Sequence, residues 1–402
     1  MNGKAPRKNG AGGNTDGSGA NRRDGYANRR DGCASRCDGR VPLLTPGKLW
    51  GLRRMSDERG LFRMVAADQR PPIKNPIAAH LGVEQAPYDE VARVKALLIE
   101  TLGAHASAML LDPHYAIPRG LHHLSPTRGL VVTLEDSVFK ERHGGRLSAS
   151  IEGWSVEKIK RMGGDAVKVL VWYRPDADER VLAHQRDYAA RVGDDCARYD
   201  IPYLLEMLVH PLPGDADQTR DYREMGGKSA DHVLETVREF AKPRYGVDVF
   251  KLESPIAGEN VPGPDGEGGP EVQALFDEMG RLAGRPWVML SAGASPQSFE
   301  RVLQHAFEAG ASGFLAGRAI WLDAFGHYPD WARMRAELED KAADYMTRIN
   351  ALASDRATPW HAHGRFGGTP PAIAPDDGGF RFAYEGFGAV ERFADAAPEA
   401  AE

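Results

Sequence analysis

Three ionisable residues stand in the middle of three separate apolar runs. Lys168 sits inside Ala166-Val167-Lys168-Val169-Leu170-Val171-Trp172. Glu206 sits inside Tyr203-Leu204-Leu205-Glu206-Met207-Leu208-Val209. Lys251 sits inside Val247-Asp248-Val249-Phe250-Lys251-Leu252-Glu253-Ser254-Pro255. Strand side chains alternate, so Lys251 and Glu253 share a face. Lysine is almost never fully buried unless it is paired or doing chemistry. A lysine in a dry, electropositive place loses its proton near neutral pH and attacks carbonyls. Lys168 and Lys251 on neighbouring parts of one barrel would depress each other's pKa. Glu206, on the strand between them, is suited to move protons as a carbinolamine dehydrates and a carbon–carbon bond breaks. Asp68, at the end of the run Phe62–Asp68, could orient a lysine or a substrate hydroxyl. The constellation points to a Schiff-base enzyme acting on a phosphorylated sugar. The alternative is a buried Lys–Glu ion pair that only holds the fold together.

Eight apolar runs are available to position these groups: Phe62–Asp68, Ala108–Asp112, Gly129–Leu134, the three above, Trp287–Ser291 and Gly313–Gly317. Amphipathic helices are expected over Tyr88–Ala104, Ser155–Met162, Asp178–Tyr199, Ser229–Ala241, Glu271–Leu282 and Ser295–Ala309, and through most of Tyr328–Ala353. Buried strands nearly all followed by helices predict an α/β fold, a (β/α)8 TIM barrel. An open doubly wound sheet would usually carry a glycine fingerprint after its first strand, and Asp68-Gln69-Arg70-Pro71-Pro72 is no such fingerprint.

In a barrel, catalytic side chains come from the C-terminal strand ends, and phosphate commonly sits in the loops after strands seven and eight. Those loops read Leu290-Ser291-Ala292-Gly293-Ala294-Ser295 and Leu315-Ala316-Gly317-Arg318-Ala319. Gly293 and Gly317 let backbone amides close on an anion, the helix opening at Ser295 offers its N-terminus, and Arg318 supplies a fixed fork for phosphate oxygens.

Composition sets outer bounds. The chain has 402 residues, 27% charged, with a formal net charge of −6. That balance gives no reason to expect nucleic acid or an anionic membrane as partner. No apolar run approaches the roughly 18 to 20 residues needed to cross a bilayer. Three cysteines (Cys33, Cys37, Cys196) make a disulfide framework improbable, and a cytoplasmic setting is expected. Residues 1–42 are rich in Gly, Asn, Arg and Asp and carry a small Asn-Arg-Arg-Asp-Gly repeat. They read as a disordered tail. Residues 43–360 read as the barrel, and residues 361–402 as a mostly disordered extension with an aromatic patch (Phe380, Phe382, Tyr384, Phe387) that could dock on the body.

At this point the chain resembles the class I tagatose-bisphosphate aldolases. The likeness rests on Ala66-Ala67-Asp68-Gln69-Arg70, Leu110-Leu111-Asp112-Pro113, Ala166–Leu170, Leu204-Leu205-Glu206, Val249–Pro255, Leu290-Ser291-Ala292-Gly293 and Gly317-Arg318-Ala319, and spans roughly Leu44 to Trp360. The resemblance implies that Lys251 forms the Schiff base, that Glu206 is the acid/base, and that Asp68 and Lys168 line the site. Ser291, Gly293, Gly317, Arg318 and Arg70 would bind substrate and phosphate. It implies cleavage of a ketose bisphosphate to dihydroxyacetone phosphate and an aldehyde, with no metal and no cofactor.

The partner is then a small phosphorylated sugar, with self-association into a homo-oligomer left open. Where that family has a glycine-led turn after Asp-Gln-Arg, this chain has Pro71–Pro76. That segment and the Gly/Pro-rich loop Ala257–Gly269 could form the far end of the pocket. Relatives that cleave sulfosugar phosphates share the same core, and a non-catalytic phosphosugar sensor would keep the fold and its phosphate loops. A metal-dependent aldolase would need converging histidines, and His114, His210 and His122-His123 lack convincing spacing. A chain running from about Leu43 to about His363 is expected to fold and retain activity.

Overall fold

The β-branched and aromatic runs do form strands, and their period of two decides what each one buries. A computed structural model describes residues 43–216, 218, 225–366, 371–373, 377–384 and 386. Eight parallel strands close into a barrel: β1 (Phe62–Ala66), β2 (Ala108–Leu111), β3 (Gly129–Thr133), β4 (Ala166–Trp172), β5 (Tyr203–Leu208), β6 (Val249–Leu252), β7 (Trp287–Met289) and β8 (Gly313–Ala316). The ring closes where β8 pairs with β1, Leu315 opposite Met64. The intervening helices cover the outside, as in a TIM barrel.

Alternation sorts the side chains. On β4, Val167, Val169 and Val171 join the large cluster between sheet and helices. Ala166 belongs to a second cluster with Phe62, Met64, Ala108, Val131, Leu204, Val249, Val288 and Leu315. Leu170 and Trp172 belong to a third with Leu208 and Leu290. Lys168 lies between Ala166 and Leu170 on the same parity. The barrel interior is therefore apolar below, polar in the middle and apolar on one flank of its upper rim.

Helix Pro46–Met55 plugs the lower end. Its Leu52 and Met55 are fully buried in that second cluster. Gly47 and Lys48 donate backbone N–H groups to the Asp200 carboxylate, and Lys48 Nζ meets Asp248 at 2.7 Å. Three more elements were not anticipated. They are helix Pro71–Leu81, helix Arg318–Phe325 and a hairpin of Lys140–Arg142 with Gly145–Leu147. Pro46 and Pro71-Pro72 open their helices without disrupting them, because in the first helical turn a proline forfeits no hydrogen bond. Among the described residues, no helix is long and apolar enough to cross a membrane.

The proposed N-terminal tail, with Cys33 and Cys37, lies outside the described residues. So does Phe387. Beyond Trp360, several described residues do contact the barrel. Phe366 is buried edge-on against Trp360, their ring centres 5.5 Å apart. Ala372–Ile373 pair in parallel with Leu43–Leu44, and Tyr384 donates its hydroxyl to Asp200 at 2.8 Å. Phe382 stays exposed.

Removing a buried phenylalanine ring costs about 3 to 5 kcal/mol. Phe366→Ala is thus expected to lower the unfolding free energy by about that amount, and a chain ending at His363 to be less stable than one ending at Ile373. Denaturant melts check this, and equal midpoints for the two truncations would show that the segment contributes nothing.

Candidate active site

The middle layer of the barrel brings together charges that are far apart in sequence. Adjacent strands are staggered so that Thr133 pairs with Lys168, Leu170 with Glu206, Glu206 with Lys251, and Lys251 with Val288. Lys168, Glu206 and Lys251 consequently converge inside the ring. Asp68 and Glu135 join them, each two residues beyond the last residue of its strand and on the same parity. All five are at most 7% exposed. Glu206 Oε2 lies 2.8 Å from Lys168 Nζ and 2.9 Å from Lys251 Nζ, so one carboxylate oxygen bridges both amines. Lys168 also donates to Asp68 at 3.2 Å and to Glu135.

The two lysines are not equivalent. Burial alone would lower the pKa of Lys168, but the Glu135, Glu206 and Asp68 carboxylates outweigh it and hold the amine well above its ordinary value. The expected depression by Lys251 is overturned at Lys168, because three carboxylates surround its amine. Lys168 is a standing ammonium ion. Burial pushes Glu206 upward, yet Lys168 and Lys251 prevail and keep it below the usual carboxylate range. Asp68 behaves likewise, with burial overcome by Lys168, Lys251 and Lys95. Glu135 is raised, because burial exceeds the pull of Lys168.

These groups line a pocket of roughly 540 Å³ at the C-terminal mouth. Gln69, Arg70, Ser291, Ala292, Gly317 and Arg318 also line its wall. Arg70 is 5% exposed and donates Nη2 to the Glu135 carbonyl at 2.8 Å. Its Nε and Nη1 are buried and make no hydrogen bond in the protein, although Nη1 lies 3.8 Å from the Asp136 carboxylate. Gly317 is required by close approach, since a Cβ there would come within 2.7 Å of the Gln69 amide and 2.8 Å of the Ala66 carbonyl. Ala292 and Gly293 both have positive φ, 46° and 86°. This turn lays Gly293 flat against the Arg318 guanidinium, where a Cβ would sit 3.3 Å from Cζ.

One sequence expectation for the anion site is corrected. The helix Pro296–Glu308 is capped by Ser295 as foreseen, but its N-terminus already holds a carboxylate. Glu259 accepts from Ser295 N at 2.9 Å and from the Ser298 hydroxyl at 2.7 Å. That positive end is therefore neutralised by the protein itself. Neither Pro71–Pro76 nor the loop Ala257–Gly269 reaches the pocket wall.

Glu135 was missed altogether, since it follows its apolar run instead of interrupting one. Glu253, on the Lys251 face, pairs with buried Lys228 at 2.8 Å and accepts from Val209 N at 2.6 Å. Behind the strand ends, fully buried Lys95 donates to Asp112 and, at 2.9 Å, to the Ala67 carbonyl, steadying the backbone that carries Asp68. Among the described residues, no group of three His, Cys, Asp or Glu side chains could hold a metal ion.

Residues 62–323 match the profile of the DeoC/LacD family aldolases. A tagatose 1,6-diphosphate aldolase of Listeria monocytogenes serotype 4a (strain HCC23) is 34% identical over 328 residues, covering 79% of this chain and 94% of that protein. Tagatose 1,6-diphosphate aldolase 1 of Streptococcus mutans serotype c (strain ATCC 700610 / UA159) is 31% identical over 328 residues, covering 79% and 98%. The fold is shared with a solved fructose-bisphosphate aldolase from Plasmodium falciparum, at a TM-score of 0.54 and 13% identity, covering 79% of this chain and 98% of that one.

Above β5, burial lowers the pKa of His210 to about 4. The folded state then binds fewer protons than the unfolded state between that value and about 6.5. The stabilising contribution is complete above the unfolded pKa and is lost as pH falls through this window. At pH 4.5, His210→Asn is expected to have lost roughly 2 to 3 kcal/mol less stability than the wild type, relative to pH 7.5. Parallel losses in denaturant titrations at the two pH values would show that His210 is not kept neutral.

Proposed function

The chain belongs to the DeoC/LacD aldolase family, and from that premise we propose that it cleaves a phosphorylated ketose through a Schiff base on Lys251. It is an aldolase and hence an aldehyde-lyase. The proposed substrate is a tagatose 1,6-bisphosphate-like sugar, and the products are dihydroxyacetone phosphate and glyceraldehyde 3-phosphate. The observation that carries this reading is the single Glu206 oxygen held between two buried lysines. It supports Lys251 as nucleophile, because Lys168 is committed to three carboxylates and stays charged.

In this reading Lys251 passes its proton to Glu206, and the neutral amine attacks the C2 carbonyl. Lys168 stabilises the oxygen anion that develops there. Glu206 protonates that oxygen, then takes a proton from the attached nitrogen and returns it to the hydroxyl, which leaves as water and yields the iminium. A carboxylate, Glu206 or Asp68, then takes the C4 hydroxyl proton. The C3–C4 bond breaks, its electron pair flows into the iminium, and the aldehyde departs. The enamine is protonated at C3 and hydrolysed, releasing dihydroxyacetone phosphate and restoring Lys251. Burial of the cluster makes each transfer short and keeps bulk water from the enamine. Arg318, with Ser291, Gly293 and Gly317, is assigned to one phosphate. Arg70, whose Nε and Nη1 make no hydrogen bond in the protein, is assigned to an anionic group of the substrate. Residues 43–360 are proposed as the catalytic unit, with a phosphorylated sugar as its partner and the cytoplasm as its setting.

Borohydride added with dihydroxyacetone phosphate is expected to attach the triose phosphate to the peptide containing Phe250-Lys251-Leu252, seen by mass spectrometry. Lys251→Arg should abolish turnover, since a guanidinium stays protonated and cannot attack a carbonyl. EDTA should leave activity intact. An adduct on Lys168 would place the chemistry on the wrong strand, and EDTA-sensitive activity without any adduct would sink the mechanism. Arg318→Ala should weaken substrate binding by about ten- to a hundredfold, the equivalent of one charge-assisted contact of roughly 1.5 to 3 kcal/mol. An unchanged KM would remove Arg318 from the site.

A further inference from the structure

We propose that Glu135 is a positioning residue of this aldolase, whose carboxylate holds Lys168 as the fixed cation beside Glu206 and so leaves Lys251 to act as nucleophile. The inference rests on the Schiff-base reading above and assigns a role to a residue outside the apolar runs of the sequence.

Both carboxylate oxygens of Glu135 are engaged. Oε2 accepts from the Thr133 hydroxyl at 2.7 Å, and Oε1 accepts from Lys168 Nζ. The residue is 3% exposed. Its backbone is pinned as well, by a bridge to Ser150 and by the Arg70 guanidinium on its carbonyl. A carboxylate held at both ends is a poor proton shuttle and a good anchor. Thr133, one strand-period earlier on β3, faces Lys168 in register. The same short segment thus supplies the anchor and the hydroxyl that orients it.

The charges around Lys168 explain why an anchor is needed. Asp68 faces it from the end of β1 and Glu206 from β5, with Lys251 beyond Glu206 on β6. Lys95 acts on Asp68 from behind, and Arg70 closes over the Glu135 carbonyl. The Tyr188 phenol, on helix Glu179–Arg198, is kept neutral by burial and bonds to Ser150. When Lys251 gives up its proton to become a nucleophile, the remaining ammonium must be Lys168. If Lys168 could swing toward Lys251 or lose its own proton, the site would have two competing amines and no fixed cation. Glu135 prevents both, because it binds Lys168 through an oxygen of its own, separate from the Glu206 oxygen that the two lysines share. The pKa of Lys168, raised chiefly against burial by Glu135, accords with that geometry.

The test is the pH profile of Glu135→Gln, an isosteric change that keeps the carbonyl contact to Arg70. With tagatose 1,6-bisphosphate as substrate, kcat should fall at least tenfold at pH 7.5, while KM changes less than threefold. The alkaline limb of kcat should move to lower pH by one unit or more, because Lys168 now loses its proton more easily. Borohydride with dihydroxyacetone phosphate should still label Lys251. Glu135→Asp, which restores the charge, should bring the limb back toward the wild-type position. If Glu135→Gln does not fold, Thr133→Val tests the same anchor and should shift the limb in the same direction by a smaller amount. A pH profile superimposable on that of the wild type in the variant that folds would overturn the proposal. Failure of the wild-type protein to form any adduct on Lys251 would instead overturn the Schiff-base reading beneath it.

Discussion

Five ionisable side chains inside a closed barrel can persist only if each is compensated by another, because an isolated buried charge costs far more than a domain's whole stability margin. Asp68, Glu135 and Glu206 carry up to three negative charges, and Lys168 and Lys251 up to two positive ones. No single pairing satisfies them. Glu206 is shared between both lysines, and Lys168 among three carboxylates. Such sharing makes proton movement between Lys251 and Glu206 inexpensive, since either state leaves the cluster partly balanced. It also distinguishes two lysines that look alike in the sequence.

The rest of the barrel is arranged to keep that cluster dry and stiff. Below it, an apolar layer is sealed by helix Pro46–Met55 together with Trp360 and Phe366. To one side above it, Leu170, Trp172, Leu208 and Leu290 form an apolar rim. Around the strand ends, buried pairs such as Lys95–Asp112 and Lys228–Glu253 fix the backbone from which the catalytic candidates project. Breaking such a pair would strand a buried charge, so each resists displacement. Stability is thus concentrated at the lower end and chemistry at the upper one, the usual division of labour in this architecture.

Anion recognition is narrower than the loops alone suggest. Glu259 occupies the end of the Ser295 helix, so the proposed anion binding rests on the turn at Ala292-Gly293 and on the guanidinium groups of Arg318 and Arg70. A buried guanidinium with only part of its donors hydrogen-bonded, such as that of Arg70, is costly in the free protein. Recovery of that cost on binding is what would make an anionic substrate group count.

Much of this was legible in the chain. Strands announced themselves by continuous β-branched runs, since in a barrel both faces of every strand are buried. Lys168, Glu206 and Lys251 stood out because they interrupt such runs, and a local break in pattern is visible without knowing the fold. Asp68, Arg70, Ser291 and Arg318 could be placed at strand ends, and the pocket contains them all.

What the chain did not disclose depends on contacts between residues far apart in sequence. Glu135 follows its strand and looks like any loop glutamate until register sets it against Lys168, 33 residues away. The capping of the Ser295 helix by Glu259 across 36 residues is likewise invisible locally. The helices opening at Pro46 and at Pro71-Pro72 are not evident in the sequence, because proline's penalty depends on its position within a helix and not on its identity. Which lysine stays charged is the clearest case. The side-chain types could nominate both, and only the closing of the barrel, by setting three carboxylates around one and sharing one with the other, separates them.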